Sequence, residues 1–316
     1  MSAHKKCVVV GYENRMRSAE AVRWGAREAY RRNADLVVLH VMDSGAVTYR
    51  EGPVGHDGWW PDDVIDKGAI LADEGADIAR VAAPGVRVLT LALAGPAGQR
   101  LVEASVDTEL LVVGPPELGR FASLWLRSVS DAVTAHAHGP IVVVRGDTGR
   151  SIGPDRPVVV GVDGPRSGHD PLDFAARTAL SAGAPLIVVS TWYYFTDPAS
   201  AGADPAPVAA MNWLREPAEA AVDAAVAVAR NEYPTLEVVP RVIAGVPPRV
   251  LTDAATDASL LVVGVPTHPA LSGLLAGAVS HTVIRSSPCP VALIATGPRL
   301  SRQDVKEDHR AAGPAP

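Results

Sequence analysis

One spacing constrains this chain more than any other feature. Gly11 and Gly161 stand 150 residues apart, as do Gly95 and Gly245, Gly114 and Gly264, and Pro140 and Pro290. The string Leu111-Val-Val-Gly114 returns at the same distance as Leu261-Val-Val-Gly264. A single long offset at several landmarks means duplication of a whole domain, not a short-repeat solenoid. A chain of 316 residues has room for two such domains, each large enough to bury a core.

Within each copy, short apolar runs alternate with amphipathic stretches. Cys7 to Tyr12, Leu36 to Val41, Val86 to Leu93, Glu109 to Val113 and Ile141 to Val144 read as strands of the first copy. Helices are predicted over Ser18 to Asn33, Asp62 to Val81, a short piece after Gly95-Pro96, and Arg127 to His136. Ala19, Val22, Ala26 and Ala29 form the inner side of the first helix. The second copy repeats the order, with strands at Val158 to Val162, Leu186 to Thr191, Val238 to Ile243, Leu260 to Val263 and Val291 to Ile294. Its helices fall near Gly168 to Ala182, Trp213 to Glu232, Pro247 to Ala255 and Gly277 to Arg285. Apolar strands alternating with helices mean parallel sheets covered on both faces, so each copy is a doubly wound α/β domain. The predicted domains are 1–146 and 157–296, joined by a linker at 147–156, with a polar, Pro-rich and disordered tail at 297–316.

The stretch Leu261 to Ile294 carries the chemistry. An apolar run ends at Gly264, a loop rich in Pro, Gly and Ser follows, and Gly277-Ala278-Val279-Ser280 opens a helix with Val279 and Val283 on one side. Ser287-Pro288-Cys289-Pro290 stops that helix. A strand, a glycine turn and a helix amino terminus together present free N–H groups and the positive end of a helix dipole to an anion. Here the chain resembles the universal stress protein family, whose motif G-x2-G-x9-G-[ST] holds a triphosphate in its ATP-binding members. Gly264 and Gly277 keep the motif's outer spacing; Thr267 stands at the middle glycine and Ala278 at the hydroxyl residue, and Pro266 and Pro269 remove two N–H donors. The resemblance covers nearly the whole chain and implies Rossmann-like sheets of strand order 3-2-1-4-5.

Open parallel sheets bind ligands at the carboxyl ends of the strands, where strand order reverses. In each copy that crevice lies between the first and fourth strands. In the second copy the candidate set is Gly161, Val162, Asp163, Thr191, Gly245, Val263, Gly264, Gly277, Ala278, Val279 and Ser280. The resemblance places Asp163 beside the adenosine, the Thr191 backbone against adenine, and the Gly245 loop along the nucleotide. Read without it, Asp163 is equally a turn-forming carboxylate. In the first copy the weaker set is Gly11, Glu13, Val41, Gly114, Arg127, Ser128 and Ser130, with Glu117 at the middle glycine position. A carboxylate there repels a triphosphate, and the first copy reads as a degenerate site.

The resemblance implies ATP, alone or with Mg, and a non-enzymatic role in sensing or sequestering an adenine nucleotide under stress. The rival readings are an interaction scaffold that binds no nucleotide, and a slow ATPase. No G-x4-G-K-[ST], no G-x-G-x-x-G after a first strand and no G-x-S-x-G occurs. A net charge of −6 argues against a nucleic-acid partner. The most apolar window, Leu260 to Val279, is interrupted by Pro266, His268 and Pro269, so no membrane span is expected. Cys7 and Cys289 read as small buried hydrophobes, and with no signal peptide the location is cytoplasmic. His281 reads as a solvated helix residue, and Trp59-Trp60 and Trp192-Tyr193-Tyr194-Phe195 as packing of long loops. The last strands of the two copies are expected to pair within the chain as a pseudo-dimer, with a homodimer and a protein partner of unknown kind beyond that.

Overall fold

The computed structural model describes residues 6–42, 62–105, 108–114, 139–145, 152–164, 169–192, 208–266 and 276–296. The chain divides into two compact units. The first comprises mainly Met1–Gly149, and the second mainly Arg150–Pro266 and Ala270–Thr296.

Unit 1 contains β1 (Cys7–Gly11), α1 (Arg15–Arg31), β2 (Asp35–Met42), α2 (Asp62–Ala82), β3 (Val88–Ala94), α3 (Ala97–Ser105), β4 (Leu110–Val113) and β5 (Ile141–Val143). Its strands lie in the order β3-β2-β1-β4-β5, all parallel. Unit 2 contains β6 (Val158–Gly161), α4 (His169–Ala182), β7 (Leu186–Trp192), α5 (Val208–Glu232), β8 (Val238–Ala244), α6 (Pro247–Ala254), β9 (Leu260–Pro266), α7 (Ala276–Ser286) and β10 (Val291–Thr296). Its order is β10-β9-β6-β7-β8, again parallel, so both units run 3-2-1-4-5 in their own strand numbers.

The repeat extends to single hydrogen bonds. Val8 pairs with Leu36 and Val158 with Leu186; Val9 pairs with Leu111 and Val159 with Leu261. Tyr12 N–H donates to the Leu39 carbonyl (2.8 Å), and Val162 N–H donates to that of Val189 (2.9 Å). Each unit even closes its first helix alike. Asn33 (φ 51°) and Gly183 (φ 65°) both turn left-handed there, before Ala34 and Ala184 donate back to Ala29 and Ala179.

The central strands are uninterrupted apolar runs because both faces are covered. Val8, Val9, Val10, Leu110, Leu111 and Val112 are buried in unit 1, and Val158, Val159, Val160, Leu260, Leu261 and Val262 in unit 2. Helices α1 and α2 pack together over β1, β2 and β3, while α3 meets β1, β2 and β4. Right-handed crossovers on the two sides of the reversal place α3 on the opposite face. In unit 2, α4 packs with α5 and α6 with α7. Ala19, Val22, Ala26 and Ala29 are buried, as the helical period requires. The Glu28 carboxylate is also buried, held by Arg31 and Arg32 one turn on.

Several element ends differ from those expected. The fourth strand of unit 2 does not end at Gly264. It runs on through Val265 to Pro266, because β10 also extends and pairs Ile294, Ala295 and Thr296 with those residues. Pro266 is therefore the last strand residue rather than part of a loop, a place where a missing N–H is tolerated. Strand β3 begins at Val88 instead of Val86, since Gly85 (φ 101°) and the Val86 N–H bond to the Ala83 carbonyl form the turn after α2. Helix α1 starts at Arg15, with Ser18 N–H already donating to the Asn14 carbonyl. Helix α5 starts at Val208 and carries Pro217 inside it. On α7 the buried stripe runs through Ser280, Val283 and Ile284 to Ser287 just beyond it, with Val279 only half-buried. That is the i, i+3, i+4, i+7 set of one helical face. Cys289 is buried and Cys7 half-buried, and neither forms a disulfide. The predicted helix near Arg127, the Trp59-Trp60 and Tyr193–Phe195 segments, residues 147–151 of the linker and the tail lie outside the described residues.

Candidate functional site

At the carboxyl edge of each sheet the first and fourth strands part. In unit 2 the β6–β9 ladder ends at Val160↔Val262. Beyond it, Gly161 follows β7 through its partner Val189, while Val263 follows β10 through Leu293. In unit 1 the ladder ends at Val10↔Val112, and Gly11 and Val113 diverge toward Leu39 and Val143. The two crevices thus open at equivalent residues, at the topological switch point where ligands of doubly wound sheets bind.

The described candidates of unit 2 gather on that edge. Gly161 ends β6, Val162 is buried and Asp163 is exposed. Gly161 lies against Leu251 of α6: an added Cβ would stand 3.1 Å from its Cδ2. Thr191 is the penultimate residue of β7 and Gly245 follows β8. Gly245 adopts φ 146° and donates its N–H to the Trp192 carbonyl (2.9 Å), tying the loop to the neighbouring strand. That backbone shape favours glycine, and Gly95 repeats it in unit 1 with φ 129° and a bond to Met42. Val263 is buried and Gly264 half-buried within β9. Gly277, Ala278, Val279 and Ser280 lie in the first turns of α7; Ser280 is buried and His281, next to it, is exposed. A helix joining two parallel strands starts at their carboxyl ends, so this terminus opens on the same edge as the crevice. Thr267 and Pro269 lie outside the described residues.

Unit 1 fills the equivalent ground differently. Tyr12 follows β1 and is 2% exposed. Burial pushes its phenol up to about 12, and the Glu74 carboxylate adds to the effect by its charge. Glu74 itself pairs with Arg15 at 3.1 Å, and the Tyr12 hydroxyl makes no well-formed hydrogen bond. Glu13 is exposed, and its N–H donates to the buried Ser18 hydroxyl (3.0 Å), so this donor is already used. His40 Nδ1 lies 2.9 Å from the Tyr12 carbonyl in a buried contact. The sequence does not mark Tyr12, Ser18 or His40 as site residues; Tyr12 alone carries a signal, its place directly after the first strand. Val41 is half-buried in β2 and Gly114 follows β4. Arg127, Ser128, Ser130 and Glu117 lie outside the described residues.

A profile of the universal stress protein family matches residues 5–145 and 156–295, the two units in turn. The chain belongs to the universal stress protein family. A family member of Mycolicibacterium smegmatis is 28% identical over 302 residues, which cover 93% of this chain and 98% of that one. One from Mycobacterium tuberculosis is 29% identical over 290 residues, covering 90% and 95%. The crystal structure of a universal stress protein from Archaeoglobus fulgidus shares the fold with a TM-score of 0.65 at 17% identity, over 92% of this chain and 96% of that one. The match therefore extends over nearly the full length of these relatives.

A groove of about 600 Å³ lies along β8 and α6, lined by Arg241, Ile243, Gly245, Arg249, Val250 and Asp253 among others. Of the candidate set only Gly245 borders it. It belongs to the outer strand, not to the crevice between β6 and β9. Among the described residues, no group of acidic, His and Cys side chains is placed to hold a metal ion, and no helix is long and apolar enough to cross a membrane.

Proposed function

We propose that this universal stress protein binds one adenine nucleotide, ATP, in the crevice of unit 2. The observation that carries the reading is the parting of β6 from β9 on the edge where the first turn of α7 opens. The free N–H groups and dipole of that turn suit an anionic phosphate chain. The exposed Asp163 carboxylate suits the hydroxyls of a ribose or the amino group of adenine. Unit 1 supports the choice of unit 2 by contrast: its sequence carries Glu117 at the middle glycine position, where a carboxylate repels a triphosphate, and the Glu13 N–H is already engaged by Ser18.

The role is one of binding and sensing rather than catalysis, coupled to a protein partner, and the protein acts in the cytoplasm. ADP appearing on incubation of purified protein with Mg-ATP, and lost in Gly277→Arg, would overturn the non-catalytic part. The binding itself is tested by denaturing purified protein and separating what is released by chromatography. About one equivalent of adenine nucleotide per chain is expected, and none from Gly277→Arg. No released nucleotide, together with no thermal shift in millimolar Mg-ATP, would favour the nucleotide-free scaffold; ATP at 100 times its dissociation constant stabilises a binding protein by about 2.7 kcal/mol.

A further inference from the structure

The two units present outer strands of opposite character. In unit 1, Leu36 N–H donates to the Arg87 carbonyl (2.8 Å) and Gly95 N–H to the Met42 carbonyl (3.0 Å). Alternation along β3 therefore turns the backbone groups of residues 87, 89, 91, 93 and 95 toward β2. Those of Val88, Thr90, Ala92 and Ala94 face the open edge. Arg100 Nε caps the outward carbonyl of Ala94 at 3.0 Å. The strand is Val-Leu-Thr-Leu-Ala-Leu-Ala, with no charge and no proline, and Leu89 and Leu91 are 41% and 42% exposed. Proteins commonly guard such edges with charge, proline or a covering element.

Unit 2 shows that guard. By the same alternation, set by the Leu186 bond to Glu237 and the Gly245 bond to Trp192, Val238, Pro240, Val242 and Ala244 face outward on β8. Pro240, the counterpart of Thr90, has no N–H to offer. Arg230 reaches the Val238 carbonyl at 3.5 Å, and the exposed Arg241 stands where unit 1 has Leu91.

We propose that β3 is a dimerisation edge, and that its occupant is β3 of a second copy of this chain, paired antiparallel about a two-fold axis at Thr90. The strand is complementary to itself in that register. Val88 faces Ala92 of the second copy and Thr90 faces Thr90, so every outward N–H and C=O between 88 and 92 gains a partner. Leu89 then falls opposite Leu91 of the second copy in the closer-spaced pairs, which covers the two exposed leucines with each other. Arg87 falls opposite Leu93, so no like charges meet. Isologous pairing of this kind closes at two chains, and the guarded β8 edge does not prolong it.

Sedimentation equilibrium of the full chain, with hydrogen exchange at the Thr90 amide, tests this. The expected particle contains two chains of 32.9 kDa, and Thr90 exchange slows as concentration rises. Leu91→Arg and Thr90→Pro import the two guards of unit 2, and each is expected to weaken association at least tenfold. Leu91→Arg changes a surface side chain, so a native circular dichroism spectrum is expected to accompany its loss of association. Four results would overturn the proposal: a chain that stays monomeric up to about 1 mM, a dimer unaffected by Leu91→Arg in its native fold, a dimer whose Thr90 amide exchanges at the monomer's rate, or Thr90 protection that appears only when an extended peptide of another protein is added.

Discussion

Tyr12 with Gly75 in unit 1 and Val162 with Ala225 in unit 2 occupy equivalent places and divide the same space differently. A Cβ on Gly75 would stand 2.8 Å from Val38 Cγ1 and 2.9 Å from Tyr12 Cγ. Unit 2 has the smaller Val162 at the position of Tyr12 and Ala225 at that of Gly75, both buried. Packing has been kept by a paired exchange of volume between strand end and helix, as close-packed interiors demand. The backbone next to these residues lines the two crevices. The scaffold has thus been conserved between the units while the chemistry at the switch point diverged.

The largest effect is expected from breaking one half of this exchange. Gly75→Ala should destabilise unit 1 by about 1–3 kcal/mol through overpacking, although alanine is the better helix former. Adding Tyr12→Val should recover most of that loss. Hydrogen exchange at the α2 and β1 amides reads both, and a double variant no more stable than Gly75→Ala would mean the two sites are not coupled.

A smaller effect is read with pH, and it sharpens the contrast because, among the described residues, each unit carries one phenol held above its ordinary range, Tyr12 buried and Tyr233 half-buried. Tyr12 in unit 1 and Tyr233 in unit 2 are both pushed up to about 12, chiefly by burial, and Tyr233 also donates a hydrogen bond to Asp173. Both pKa values lie above the ordinary value near 10. Each group's stabilising contribution is therefore complete below pH 10 and is lost as pH rises from 10 through 12. Absorbance titration should show two phenols ionising late. Asp173→Asn should bring Tyr233 down while leaving Tyr12 in place; a shift in both would contradict separate environments.

The smallest effect concerns the shared helix ending. Gly183→Asn copies the residue of unit 1 at a left-handed position and should change stability by less than about 0.5 kcal/mol. Gly183→Val should cost about 1–2 kcal/mol. Chemical denaturation monitored on unit 2 separates the two.

The fold was legible because the 150-residue offset and the buried apolar runs are properties of the chain itself. The same offset returns in the strand registers of both units, Val9 with Leu111 and Val159 with Leu261. Gly264 misled because a glycine marks a strand end only when its neighbour also stops, and β10 continues to Thr296 beside it. The edge on which candidates such as Asp163 and Gly277 gather followed from strand order. The Tyr12–Gly75 contact did not, since it joins residues 63 positions apart whose sizes matter only in three dimensions. Nor did the engagement of the Glu13 N–H by Ser18, which depends on how the turn after β1 closes. The contrast between Thr90 and Pro240 is visible in the sequence, yet gains meaning only once β3 and β8 are known to be outer strands.

The most direct test of divergent chemistry on a conserved scaffold is calorimetric titration of the nucleotide-free chain with Mg-ATP. One equivalent per chain is expected, abolished by Gly277→Arg, weakened by Asp163→Ala and left intact by Glu13→Ala. Two equivalents, or binding that survives Gly277→Arg and falls with Glu13→Ala, would contradict it.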